Sequence, residues 1–257
     1  MEGGRLLSLR ILGSGTKAWA LTEMPPGAKT WTAEGGLLEF WPADQVVVVR
    51  AGTRVADLQR ALAEHGQCLP LPTEDEHGTC LAGWPGTVGG LVASNLPHGL
   101  WSQCGGPRDW ILGATLRRAD GVRAKSGSRA VKSVAGFDVH RAMVGSWGLL
   151  ALIESVVLRT WPLGAVPACV GQTVGPSFPP AAWIQRTDRS GFPTALDRAP
   201  SVLAFDEPSC TIWTEEEPPR PAVGWLVGPN GRRWSSQPAH PFGSRLKEAL
   251  DPEARFV

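Results

Sequence analysis

Residues 85–95 read Pro85-Gly86-Thr87-Val88-Gly89-Gly90-Leu91-Val92-Ala93-Ser94-Asn95. A proline and three glycines give way to small and apolar residues at helical spacing, the pattern of a tight turn that opens a short helix. Glycine lets a backbone approach a ligand closely and adopt positive φ, so that successive N–H groups converge on one anion. A helix N-terminus adds unpaired donors of its own. In chain order this glycine turn is preceded by another loop, the first of the two, Gly13-Ser14-Gly15-Thr16-Lys17, which follows a strand expected over residues 6–12. Two such loops on separate segments suit a pyrophosphate gripped from both sides. The first loop is not a Walker A motif, which needs four residues between its leading Gly and Gly-Lys-Ser/Thr, nor is it the dinucleotide-binding Gly-x-Gly-x-x-Gly. Ordinary turn glycines also explain either loop taken alone, so spacing suggests the reading without deciding it.

Between and beyond the loops the chain alternates strands and helices. Residues 37–41 and 46–50 read as strands separated by Pro42-Ala43-Asp44, and Val55, Leu58, Leu62 and Ala63 mark a helix over 53–65 that Gly66 ends. A strand is expected at 68–71, another at 110–118 turning through Ala119-Asp120-Gly121 into a hairpin, a helix at 137–144, and a long buried strand at 149–161. After Pro162 proline-rich connectors separate short strand candidates at 166–174, 201–205, 210–213 and 222–227, and an amphipathic stretch closes the chain at 244–250. The expected division is therefore 1–162 and 163–257.

The 257 residues carry 25 Lys+Arg against 24 Asp+Glu, a net charge of +1, without the basic excess that nucleic-acid binding requires. There is no tyrosine, so proton transfer falls to His, carboxylates or Lys. Cys68, Cys80, Cys104, Cys169 and Cys210 are odd in number and contain no C-x-x-C pair. That argues against an iron–sulfur cluster, a zinc ribbon or a disulfide framework in this chain, and no metal site is expected. No run reaches the roughly 18 apolar residues of a membrane span, and no signal-peptide pattern opens the sequence. The expected location is cytoplasmic.

Three further segments complete a series: Arg108-Asp109-Trp110-Ile111-Leu112-Gly113, Val131-Lys132-Ser133-Val134-Ala135-Gly136-Phe137-Asp138, and Val144-Gly145-Ser146-Trp147-Gly148-Leu149-Leu150-Ala151-Leu152-Ile153-Glu154. With the two glycine loops, they resemble in order the PCMH-type FAD-binding domain of the vanillyl-alcohol-oxidase superfamily, and within it the FAD-binding subunits of bacterial glycolate oxidases. The resemblance covers residues 5–162 and returns at Leu246-Lys247-Glu248-Ala249-Leu250-Asp251-Pro252. It implies an α+β fold: a two-subdomain FAD-binding domain followed by a reduced C-terminal α/β cap. It also implies that pyrophosphate lies between Gly13, Ser14, Gly15, Thr16 and Lys17 on one side and Pro85, Gly86, Thr87, Val88, Gly89 and Gly90 on the other. Ala93 and Asn95 would close the short helix. Asp138 with Gly145, Ser146, Gly148 and Leu149 would line the adenosine or isoalloxazine end, and Ile153 and Glu154 the strand passing the cofactor. Glu154, costly in an apolar strand unless paired, would find a cation nearby. Arg108 is one candidate, although Arg108 and Asp109 also read as a local structural pair. Lys132 reads equally as a cofactor contact and as a loop lysine.

Family members with covalent flavin attach it through a histidine or cysteine, often a His in the first loop. The first loop here has no His, so the resemblance implies noncovalent FAD, with Cys104 the one thiol near a cofactor loop. Family members that oxidise 2-hydroxy acids themselves carry a histidine-rich site in the cap. Here the cap region has only His240, while His77 and His98 flank the second loop. No catalytic residue is assigned on these grounds. Of twelve tryptophans, Trp84, Trp101, Trp110 and Trp147 lie in or beside cofactor loops, and Trp183, Trp213, Trp225 and Trp234 could form a partner-facing patch. The implied function is that of an FAD-binding subunit relaying electrons from oxidation of a small 2-hydroxy acid. Its implied partners are a catalytic flavoprotein subunit and an iron–sulfur subunit, which could hold it against the inner membrane. The alternatives are a self-sufficient FAD-dependent oxidoreductase and a flavin-free scaffold.

Overall fold

The computed structural model describes residues 8–18, 21–71, 86–95, 100–128, 138–166, 183–188, 202–205, 209–214, 217, 224–227, 233–235 and 241–257. Strand β1 (Leu9–Ile11) pairs in parallel with β2 (Lys29–Trp31), Leu9 opposite Lys29 and Ile11 opposite Trp31. This strand at Lys29 has no counterpart in the sequence reading. Three residues are too few to show alternation, and its partner is twenty residues away.

The main sheet is built from β3 (Leu37–Trp41) and β4 (Val46–Arg50), which follow the expected spans. The chain continues through helix α1 (Val55–Ala63), β5 (Gln67–Cys68) and helix α2 (Val88–Ser94). Two helical turns, α3 (Trp101–Cys104) and α4 (Pro107–Trp110), lead into β6 (Ile111–Arg117), β7 (Arg123–Gly127), the turn α5 (Val139–Ala142), β8 (Leu152–Arg159) and β9 (Trp161–Pro162). The order is β3-β4-β8-β6-β7 with every neighbouring pair antiparallel. The valine run of β4 sits beside the apolar β8, and Val47, Val49, Val156 and Leu158 are buried with Leu58, Leu62, Leu91, Val92 and Met143 from the helical layer. Continuous apolar runs belong to strands flanked on both sides, as these two are.

The expected strand at 110–118 starts one residue later, because Pro107 opens a helical turn whose Asp109 carboxylate accepts the Gly106 N–H at 2.9 Å. Trp110 is fully buried there, and its indole N–H donates to the Cys104 carbonyl at 2.7 Å. The expected strand at 68–71 reduces to β5, which pairs with β9.

A second sheet comprises β10 (Trp183–Asp188), β11 (Val202–Phe205), β12 (Ser209–Thr214), β13 (Gly224–Val227) and β14 (Arg233–Ser235), all antiparallel in the order β11-β12-β10-β13-β14. Three of these strands coincide with sequence expectations; β10 and β14 do not. Residues 167–174 of the expected 166–174 strand lie outside the described residues. A final helix spans Pro241–Leu250, and the tail after it returns to β1, where Phe256 bridges Leu9. Helices with antiparallel sheets make the fold α+β. No helix among the described residues is long and apolar enough to cross a membrane.

Candidate functional site

Strand β1 ends at Ile11, and the chain turns at once into Gly13–Lys17. That loop lies against the turn before α2. A Cβ added at Gly13 would fall 2.6 Å from Thr87 Oγ1, so the loops meet only because Gly13 has no side chain. Gly86 has φ +109, and the space beside it is filled by Thr16 Oγ1, Lys17 Nζ and Ser14 Oγ. The two glycine loops, 70 residues apart in sequence, thus form opposite banks of one groove.

The groove encloses about 750 Å³, including its open mouth. Gly13, Ser14, Gly15, Thr16 and Lys17 line one bank, and Thr87, Gly89, Gly90, Ala93 and Ser94 the other. Ala33, Ala51 and Gly52 wall it from the β3–β4 side, and Trp147, Gly148, Ala151, Leu152 and Ile153 from the β8 side. Small residues leave it open, and its lining is mostly apolar, with polar groups gathered at the loops. That shape accepts a flat ring system at an apolar end and an anion at the loops.

The α2 N-terminus departs from the expected role. Val88 N–H donates to Thr53 O at 2.8 Å, Gly89 N–H to Ala51 O at 2.7 Å, and Gly90 N–H to the Thr87 hydroxyl at 3.2 Å. The first three helical amides are therefore already satisfied, and Val88 is fully buried. The polar side chains facing this turn belong to the Gly13–Lys17 loop: the Ser14 and Thr16 hydroxyls and Lys17, whose ammonium lies 3.1 Å from Thr16 Oγ1. Burial pushes Lys17 down from the ordinary lysine range to about 8.

At the far end of α2, Asn95 takes a left-handed conformation, and the 145–148 turn is tied to the helix by Gly145 N–H to Val92 O and Trp147 N–H to Ala93 O. Asn95 Oδ1 and Ser146 Oγ are buried there with no hydrogen-bond partner among the described residues. Neither residue lines the groove.

Several expected contacts stand apart from the groove. Pro85 lies outside the described residues, as do Lys132, His77, His98 and His240. Gly86, Val88, Asn95, Arg108, Asp109, Asp138, Gly145 and Ser146 do not line the groove, and Asp109 is used on Gly106. Leu149 contributes its carbonyl to Lys247 instead. Glu154 projects into a second hollow with Arg50, Arg117, Arg123 and Lys125, on the opposite side from its neighbour Ile153, as strand alternation dictates. Its cations are Arg117, with Nε 2.6 Å from Oε1, and Arg123, with Nε 2.8 Å from Oε2, rather than Arg108. We expect Glu154→Gln to lower stability by about 1–2 kcal/mol, because the arginines are partly solvated. Flavin affinity should change less than about threefold, which urea denaturation and flavin titration on the same samples would check.

The sequence reading missed Ala33, Ala51 and Gly52 as groove residues, whereas Trp147, named beside a cofactor loop, does line the groove. The three missed residues fall inside the 5–162 span of the resemblance but outside the motifs that carry it, and Ala33 has no local signal.

The FAD binding domain family matches residues 31–126. Glycolate oxidase subunit GlcE of Escherichia coli (strain K12) is 32% identical over 156 residues, 60% of this chain and 42% of that protein. The mitochondrial D-lactate dehydrogenase [cytochrome] of Arabidopsis thaliana is 31% identical over 116 residues, 45% of this chain and 19% of its own. Glycolate oxidase subunit GlcD of Bacillus subtilis (strain 168) is 27% identical over 143 residues, 52% of this chain and 29% of that protein. The matches thus span less than half the length of these curated relatives. Residues 31–126 thus match an FAD-binding domain, and FAD is the cofactor.

Proposed function

We propose that the chain is the FAD-binding subunit of a glycolate-oxidase-like 2-hydroxy-acid dehydrogenase complex, with its FAD held noncovalently in the groove between the glycine loops. Bound flavin supplies the two-electron acceptor chemistry. The chain's own residues bind and orient it. Lys17 with the Ser14 and Thr16 hydroxyls holds the pyrophosphate, and the alanine and glycine walls keep water from the ring faces. Gly13, Gly86 and Gly90 permit the close approach. Residues 1–162 serve as the binding unit in this reading, and 163–257 as a reduced cap that faces partners.

One observation carries the subunit reading. Among the described lining residues, Lys17 is the sole titratable group, and it sits at the anion end. The reading therefore assigns the base that takes the hydroxyl proton to a catalytic flavoprotein subunit, and onward electron transfer to an iron–sulfur subunit. Noncovalent attachment is supported by Cys104, which does not line the groove and whose thiol is pushed up by burial, away from the nucleophilic thiolate.

The test is reconstitution. The purified chain should take up FAD, release it to the supernatant on acid precipitation, and oxidise a 2-hydroxy acid with an artificial acceptor only when companion subunits are added. Turnover by the chain alone would overturn the subunit reading in favour of a self-sufficient oxidoreductase. A folded chain that never takes up FAD would overturn the cofactor placement as well.

Lys17 gives the reading a pH signature. In the ligand-free chain its pKa lies near 8. A docked phosphate favours the ammonium, so the pKa rises on binding and a proton is taken up above pH 8. Affinity should then fall as pH rises from 8, by up to about tenfold per unit. The ligand-free fold responds in the other direction: burial of the ammonium opposes folding below about 8, and this penalty fades as pH rises toward 10.5. Flavin titrations at pH 7, 8 and 9 should show the decline in the native chain, and a flat, weaker profile in Lys17→Met.

A further inference from the structure

Residues 247–257 line no part of the groove, yet they join its two walls. Lys247 Nζ donates to the Leu149 carbonyl, to Asp251 Oδ2 at 2.6 Å and to the Phe256 carbonyl at 3.2 Å, using all three of its hydrogens. The Asp251 side chain is fully buried and accepts from the Arg255 and Phe256 amides, each at 2.9 Å. This folds the tail so that Leu9 N–H meets Arg255 O at 2.6 Å and Val257 N–H meets Leu9 O at 3.0 Å. Arg10 Nε donates to Val257 O, and Arg255 Nη1 reaches Ala119 O on the hairpin. Phe256 is buried with Leu9 and Ala119 in a small second core, against Trp31 edge-to-face at 6.0 Å.

Both anchors lead straight to the groove. From Leu9 and Arg10 the chain runs into Ile11 and Gly13. From the Leu149 carbonyl it runs back to Gly148 and Trp147, both groove residues. The walls touch: a Cβ at Gly148 would stand 3.1 Å from Ile11 Cβ. Trp147 and Gly148 hold φ of +53° and +79°. A tryptophan in the left-handed region is strained and persists only where its surroundings over-determine it. Lys247 supplies part of that restraint, one residue beyond.

We propose that Lys247 and Asp251 are positioning residues for the cofactor groove, clasping β1 to the 147–149 turn so that FAD binding and closure of the C-terminal clasp stabilise each other. The proposal rests on the groove being the FAD site. Coupling of this kind is reciprocal: if the clasp raises FAD affinity, FAD must tighten the clasp by the same factor.

The test is hydrogen exchange on the full chain with and without FAD, alongside flavin titrations of the native chain and of Asp251→Asn and Lys247→Met. The Arg255, Phe256 and Val257 amides should exchange at least tenfold more slowly with FAD, while the β10–β14 amides change little. Both variants should bind FAD at least tenfold more weakly and lose the tail-specific protection. A clasp that merely stabilised the fold would slow exchange everywhere alike, and that result overturns the proposal. So does FAD binding that leaves the tail amides unchanged, a measurement on the native chain that needs no variant to fold. Failure of the native chain to bind FAD at all would instead overturn the cofactor reading, and the coupling with it.

Discussion

Gly52→Ala is expected to destabilise the first part of the chain by at least about 3 kcal/mol, at the severe end of core overpacking. The added Cβ would lie 2.1 Å from the Ala33 carbonyl oxygen and 2.6 Å from that of Glu34. These are backbone atoms and no rotamer change relieves them. The segments are also stapled: Gly52 N–H to Glu34 O, Arg50 N–H to Gly36 O, and Gly36 N–H to the Thr53 hydroxyl. Making room for one methyl group means parting that seam, and Ala33, Ala51 and Gly52 all face the groove, so flavin uptake should fail with stability. Urea denaturation followed by tryptophan fluorescence would show the loss. Gly164→Ala, where nothing lies within 4 Å of the new Cβ and φ is ordinary, should be close to neutral and serves as the control. Equal stability of the Gly52→Ala and native chains would mean that the 33–36 segment does not run against 50–53 as described.

The second large effect concerns binding with the fold preserved. A Cβ at Gly90 would stand 3.3 Å from Thr87 Oγ1 and 3.9 Å from Lys17 Cε, tight but without backbone overlap. Gly90→Asp thus puts a carboxylate beside Lys17, where it pairs with the ammonium and repels a phosphate. Flavin affinity should fall by two orders of magnitude or more, about 3 kcal/mol, with the melting temperature within a few degrees of native. An acidic residue in the first turn of a helix is itself favourable, which offsets the tight contact. Gly89→Asp is the less informative variant. Its Cβ would lie 2.9 Å from Ala51 Cβ and 3.1 Å from Ala51 O, so it would injure packing and binding together. If Gly90→Asp bound flavin with native affinity, the pyrophosphate would not lie at Lys17.

These variants show what the sequence could and could not reveal. The glycines of both loops announce close approach, but not what approaches. Gly89 is small for Ala51 and Gly52 for Ala33 and Glu34, protein against protein, whereas Gly13 and Gly86 are small for the opposite loop. Strands β3 and β4 were legible because the valine run and the Pro42-Ala43-Asp44 turn are local signals. Strand β2 was not, since its only partner is the distant β1. Glu154 advertised its need for a cation through its apolar neighbours. Which arginine answers depends on the pairing of β8 with β6 and on the β6–β7 hairpin, and a chain read residue by residue does not display that register. The second helix terminus looked like a phosphate site because sequence shows the donors of a helix start, but not the carbonyls of Ala51 and Thr53 that already occupy them.

The pairing of Leu9 with Phe256 has a temporal side. These residues are 247 positions apart, and a ribosome adding about 5–20 residues per second needs roughly 12–50 s to travel from one to the other. Through that interval β1 has its partner β2 but not its other flank, and the turn at Trp147 and Gly148 lacks the Lys247 restraint. The whole second sheet is synthesised before β1 gains that flank. Nascent chains should therefore be poor at retaining flavin until residues 247–257 have emerged, so that cofactor loading is timed by that segment rather than by the appearance of the glycine loops.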